Sequence, residues 1–158
     1  MSLANTMIYG NVTGRVKIEF GNGDVYEGDM VDDKPHGRGT YTYACGDVYE
    51  GEWKDGNVHG KGKYTWVNGN IIFEGYFVED REEGMGKMTY ADGSTYEGEW
   101  KAGKKHGAGT LTDANGYRFK QEYNNGNLLG KQGKRLATLI NCLKMLEASF
   151  PARVEEQE

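Results

Sequence analysis

Histidine, carboxylate and cysteine are the side chains with which this chain could do chemistry, and their spacing decides what they can do. Its histidines are His36, His59 and His106, each followed by Gly-x-Gly. Glu27, Glu50, Glu74 and Glu97 recur in the same regular way. Chemistry that needs convergence is ill served by such regularity. Ligands of one zinc ion must each lie about 2.0–2.1 Å from it. Positions repeated along a stack of strands stay two strand spacings apart, about 9.6 Å. General acid–base work asks for two carboxyls in unlike environments within one cleft, and a row of identical sites offers neither. The expectation is therefore no catalytic residue, no metal and no cofactor. The histidines are read as polar groups that close hairpin loops, and the glutamates as surface pairing partners. Cys45 and Cys142 have no histidine nearby in sequence and read as reduced thiols. None of the Gly-x-Gly runs completes Gly-x-Gly-x-x-Gly, and no Walker pattern is present.

Charge is the other reactive feature. The 158 residues hold 19 Lys and Arg against 24 Asp and Glu, a net −5, which argues against general nucleic-acid binding. Lys101, Lys104 and Lys105 form a small basic cluster that could attract anionic lipid. The matching loop one copy earlier, Glu79-Asp80-Arg81-Glu82-Glu83, would be repelled by that same surface. No apolar run approaches the roughly 18 residues of a membrane span. Nor do residues 1–10 show a basic stretch followed by an apolar one. A cytoplasmic location is expected, with association to the cytoskeleton or a membrane surface.

The elements that position these side chains come from a repeat. Tyr26-Glu27-Gly28 returns as Tyr49-Glu50-Gly51, Phe73-Glu74-Gly75 and Tyr96-Glu97-Gly98, with a worn copy at Phe119-Lys120-Gln121. Inside a copy the period is two. Tyr49, Gly51 and Trp53 fall on one side, with Glu50 and Glu52 on the other. Beyond a short loop Gly62, Tyr64 and Trp66 share a side, opposed by Lys61, Lys63 and Thr65. Such alternation is a strand with two unlike faces. Asp55-Gly56, Ala102-Gly103 and Asn125-Gly126 supply the positive φ of tight hairpins, and Asn68-Gly69, Asp92-Gly93 and Asn115-Gly116 link copy to copy. Each copy is thus a β-hairpin. An aromatic ring can lie over a glycine where a Cβ would obstruct it, so Gly51 and Gly62 are expected to receive rings. Cross-strand pairing of Glu50 and Glu52 with Lys61 and Lys63 is expected on the other face.

These residues resemble MORN repeats, whose pattern is aromatic-Glu-Gly-Glu-Trp, a Lys-x-Gly loop, then His-Gly-x-Gly-x-aromatic. Tyr49 to Tyr64 and Tyr96 to Gly109 match almost throughout. The third copy departs, with Phe73, Phe77 and Glu83 at the Tyr, Trp and His places. The resemblance implies an all-β repeat solenoid: an elongated, twisted antiparallel sheet of stacked hairpins with an aromatic-lined groove. It implies little about activity, because such repeats sit beside phosphoinositide kinase and SET-domain catalytic domains as well as in junctophilins, radial spokes and parasite cytoskeletal rings.

After Gly133 the period becomes helical. Leu136, Leu139, Ile140, Leu143, Leu146 and Phe150 form one apolar stripe, and Pro151 ends it. The expected organisation is a disordered or tag-derived start (1–7), a hairpin array (8–130), a C-terminal amphipathic helix (131–150) and a frayed acidic tail (151–158). The function read from this is a non-catalytic scaffold or adaptor. Its partner-binding groove would be lined by Tyr26, Tyr49, Trp53, Tyr64, Trp66, Phe73, Phe77, Tyr90, Tyr96 and Trp100 and would take a partner's helix or peptide. The C-terminal helix would cap the last strand or fill part of the groove in cis, with a homodimer interface as the alternative. The alternatives are a membrane tether for anionic phospholipids such as phosphoinositides, and a regulatory or dimerising segment of a larger enzyme.

Overall fold

A computed structural model describes residues 11–67 and 71–129. The chain divides into two units, Met1–Leu128 and Leu129–Glu158, and the sheet below belongs to the first apart from its last residue. The expected helix of 131–150, the start 1–7 and the tail 151–158 lie outside the described residues.

Eleven strands follow one another in chain order: β1 (Gly14–Glu19), β2 (Val25–Val31), β3 (Lys34–Thr42), β4 (Val48–Lys54), β5 (Asn57–Thr65), β6 (Ile72–Val78), β7 (Arg81–Thr89), β8 (Thr95–Lys101), β9 (Lys104–Thr112), β10 (Arg118–Asn124) and β11 (Asn127–Leu129). They make one antiparallel sheet in which every strand pairs only with its sequence neighbours. The period-two pattern is the cause. In β4, Tyr49 and Trp53 are buried while Glu50 is exposed; β6 and β8 repeat the pattern. The expected fold class is thus the one found for the described strands.

Each within-copy loop is two residues long with both φ positive, the hairpin turn whose twist suits the sheet. Asp55 and Gly56 have φ 52° and 92°, and Ala102 and Gly103 have 48° and 78°. Two further turns were not legible as such in the sequence: Asp32-Asp33 and Glu79-Asp80, all four residues left-handed without glycine. The aspartate at the second place of each has a partner. Asp33 Oδ1 accepts the Val12 N–H at 2.8 Å, and Asp80 Oδ1 accepts the Val58 N–H at 2.7 Å.

A row of glycines crosses the sheet in register: Gly28, Gly39, Gly51, Gly62, Gly75, Gly86, Gly98 and Gly109. Tyr49 lies over both Gly51 and Gly62, so that a Cβ on either would collide with its ring and hydroxyl. Tyr26, Phe73 and Tyr96 treat their own glycine pairs alike. Below this row the second strand of each hairpin carries a bulge at the first glycine of Gly-x-Gly, where Gly37, Gly60, Gly84 and Gly107 have φ of 76°, 66°, 72° and 58°. The bulge corrects the expected charge pairing. Glu50 faces Lys63 in register, but Lys61 faces Tyr76, and Glu52 turns its carboxylate toward Gly60. Among the described residues, one Lys–Glu pair closes: Lys87 with Glu97, at 3.2 Å.

Candidate functional site

On the glycine side of the sheet the rings interlock edge to face from copy to copy. The chain of contacts runs Tyr26–Trp53–Tyr49–Phe77–Phe73–Trp100–Tyr96–Tyr123, with centroids 5.0–5.8 Å apart and planes 77–88° to one another. Each such contact contributes about 0.5–1.5 kcal/mol beyond the area it buries. Tyr26, Tyr49, Phe73 and Tyr96 have no exposed surface, and Trp53, Phe77 and Trp100 keep 7%, 4% and 6%. Seven of the ten residues expected to line an open groove are therefore the core of a single-layered sheet. Glycine rows explain the difference: without Cβ atoms beneath them the rings lie flat against the backbone and use their area on one another. Tyr26 and Tyr49 also donate their hydroxyls to the Asp29 and Glu52 carbonyls, at 2.6 and 2.9 Å.

The other three, Tyr64, Trp66 and Tyr90, are half-buried. They belong to a second aromatic row beside the inter-copy turns. Phe20, Tyr41, Tyr43, Tyr64 and Trp66 follow one another with centroids 4.6–6.0 Å apart. Phe20 is 41% exposed, and Met88, Tyr90 and Leu111 continue the partly buried edge. Phe20, Tyr41 and Tyr43 of this row are not among the residues expected to line the groove. The signal was present, since each stands 23 residues before an equivalent position: Tyr43, Tyr64 and Trp66.

Aspartates of the turns hold this ribbon in place. Asp24 accepts from the Tyr41 hydroxyl at 2.7 Å and the Ala44 N–H at 2.8 Å; Asp47 accepts from the Tyr64 hydroxyl at 2.8 Å and the Val67 N–H at 2.6 Å. Those bonds, the Tyr41 hydroxyl foremost, hold the Asp24 carboxyl below its usual range. Burial, then the bond to Asp24, pushes the Tyr41 phenol up to about 12. Burial and Asp47 likewise raise Tyr64. Phenols this reluctant to ionise are neutral hydrogen-bonding groups at ordinary pH.

At the opposite edge the histidine positions clasp hairpin tips. His106 Nδ1 accepts the Asn125 N–H at 3.4 Å, Glu83 Oε2 accepts the Ala102 N–H at 2.9 Å, and Thr13 Oγ1 accepts the Asp32 N–H at 3.4 Å. His36 Nδ1 lies 3.6 Å from Asp55 Oδ1. In each case the partner loop is that of the following copy. The three lysines expected as a lipid cluster do not share one face. Lys101 and Lys104 are exposed beside the Ala102-Gly103 turn, whereas Lys105 lies on the aromatic face. Its Nζ sits 4.1 Å from the Tyr96 ring centroid, 5.1 Å from that of Tyr123 and 5.2 Å from that of Tyr90. Among the described residues, no group of three or more His, Cys, Asp or Glu is placed to hold a metal ion.

Comparison with known families gives a match to a model described as MORN repeat, at residues 26–48, 49–71, 73–95 and 96–116, together more than half of the chain. Comparison with curated proteins gives no match.

Proposed function

The chain belongs to the MORN-repeat family, and from that premise we propose that it is a non-catalytic scaffold or adaptor that holds a protein partner along the half-exposed aromatic ribbon. MORN repeats are a non-enzymatic module that generally binds proteins or membranes. The observation that carries the reading is the continuity of Tyr41, Tyr43, Tyr64 and Trp66, in tilted ring contact across two copies and each half-exposed. An apolar stripe of this kind marks an interaction site, and Trp and Tyr are the residues on which binding energy concentrates. The partner segment is a helix or peptide with apolar anchors. Membrane attachment through Lys101, Lys104 and Lys105 has less support, because Lys105 is occupied by tyrosine rings and the tip one copy earlier carries Glu79, Asp80, Glu82 and Glu83.

Affinity capture from native lysate tests the proposal. Proteins retained by the wild type should be lost from the Tyr43→Ala, Trp66→Ala double variant while its melting transition stays cooperative. Retention of the same proteins by that variant would refute the ribbon. Sedimentation with anionic vesicles at low salt, lost in high salt, would favour the membrane instead.

A further inference from the structure

The face away from the rings holds a depression of about 790 Å³, lined by residues from β1 to β8. Its main row alternates in sign on five successive strands. Glu50, Lys63, Glu74, Lys87 and Glu97 stand opposite one another in register. Of the neighbours in that row, Lys87 and Glu97 form a salt bridge, leaving Glu50, Lys63 and Glu74 without one among the described residues.

The next row has a break in the third copy. Where the first, second and fourth copies place Asp29, Glu52 and Glu99, the third places Tyr76; where the first two place Arg38 and Lys61, it places Met85. Tyr76 is 52% and Met85 58% exposed, and both line the depression. The exchange removes a local interaction. Carboxylates of Asp29, Glu52 and Glu99 stand over Gly37, Gly60 and Gly107, whereas nothing lies within 4 Å of where a Gly84 Cβ would be. Tyr76 and Met85 thus stand open in a charged trough, Tyr76 where the other copies place a carboxylate and Met85 where the first two place a cation.

The geometry points to this trough as a second docking surface, for a partner α-helix with charges of alternating sign every three to four residues and an apolar anchor at its centre. Pitch selects the helix. Successive strands lie about 4.8 Å apart. Side chains on one helix face recur after about 4.5 Å (i, i+3) or 6.0 Å (i, i+4), which brackets that spacing. Same-face positions on an extended segment are about 6.6–6.8 Å apart and fall out of step within two contacts. Charge complementarity sets the pattern: a helix offering Lys opposite Glu50, Glu74 and Glu97 and Glu opposite Lys63 and Lys87 meets each charge with its opposite. Its anchor then lies beside Tyr76 and Met85. A helical stretch of about 13 residues, roughly 19 Å, crosses the charge row from β4 to β8 with the anchor near its middle.

The probe is a synthetic 22-residue helical peptide with Lys and Glu alternating at i, i+3 and i+4 and two central leucines. Its binding to the full chain is followed by fluorescence anisotropy at 50 and 300 mM salt. The double variant Tyr76→Glu, Met85→Lys gives the third copy the residues of the second, so its fold is secure. It should weaken peptide binding at least tenfold. A composition-matched peptide with its charges blocked into one Lys half and one Glu half should bind at least tenfold more weakly than the alternating one. Trp66→Ala should leave peptide binding unchanged, which separates this face from the ribbon. Equal binding to wild type and double variant, equal binding of the two peptides, or vesicle sedimentation in place of peptide binding would overturn the assignment.

Discussion

Tyr49 shows how much one side chain decides in this fold. It covers Gly51 and Gly62, meets Trp53 and Phe77 edge to face at 5.3 Å, and donates its hydroxyl to the Glu52 carbonyl. A methyl group at Gly62 would displace the ring, so Gly62→Ala should destabilise by about 1–3 kcal/mol, as overpacking of a tight core does. Gly21, with nothing within 4 Å of its Cβ position and no positive φ, is the control. Gly21→Ala should change stability by no more than about 0.5 kcal/mol in the same urea titration. Titration gives a second prediction at this scale. Tyr26, Tyr41 and Tyr96 are raised to about 12, chiefly by burial, whereas tyrosine in an unfolded chain ionises near pH 10. In that interval the folded state binds more protons than the unfolded. Stability is therefore full below pH 10 and falls as pH rises toward 12. Asp24 and Asp92 act at the other limit, lowered by hydrogen bonds from Tyr41 and Ser94. Their contribution is present above pH 3.8 and lost as pH falls through the folded values. Urea midpoints at pH 3, 7 and 11 should fall at both extremes. In Tyr41→Phe the fall should be shallower at each.

At the scale of the element, a hairpin is completed by its neighbour. The second residue of each tip donates its N–H to a carbonyl of the preceding copy: Asp33 to Val12, Gly56 to Pro35, Asp80 to Val58, Gly103 to Glu82 and Gly126 to Lys105, at 2.8–3.2 Å. The side chain at the histidine position adds an acceptor for the first residue, and Thr13, Glu83 and His106 all supply one. Acceptor capacity, rather than imidazole chemistry, is the shared property. Glu83→Ala should cost about 1 kcal/mol, as a lost hydrogen bond does, and speed exchange of the Ala102 amide. Glu83→His should restore much of both. The sequence told that these residues close loops; it did not tell whose loop, because contact with the next copy needs the register. The same holds for Glu52, which period-two counting sets opposite Lys61. The bulge at Gly60 shifts that pairing, and one left-handed glycine in a strand has no signature in hydrophobic alternation.

At the scale of the whole array, stability is shared between nearest neighbours, since the aromatic contacts join each copy to the next. Removing residues 49–72 deletes β4 and β5 and joins Val48 to Phe73 in phase. The shortened chain should still unfold in one cooperative transition, with a smaller urea m-value in keeping with the lost surface. A non-cooperative melt would show that copies are not interchangeable. The stack of hairpins was legible because alternation and turn dipeptides repeat four times, each copy confirming the last. Division of the aromatic face into core and ribbon was not legible, because Tyr49 and Tyr64 are alike in sequence and differ only in which of them lies over glycine. That division is the centre of the functional account. Three variants, each keeping one of Trp53, Trp66 and Trp100 with phenylalanine at the other two places, test it by acrylamide quenching. Trp66 should be quenched readily and become protected when a partner binds, while Trp53 and Trp100 stay protected throughout. Quenching of Trp53 or Trp100 as strong as that of Trp66 would mean that the rings line an open groove, and would contradict it.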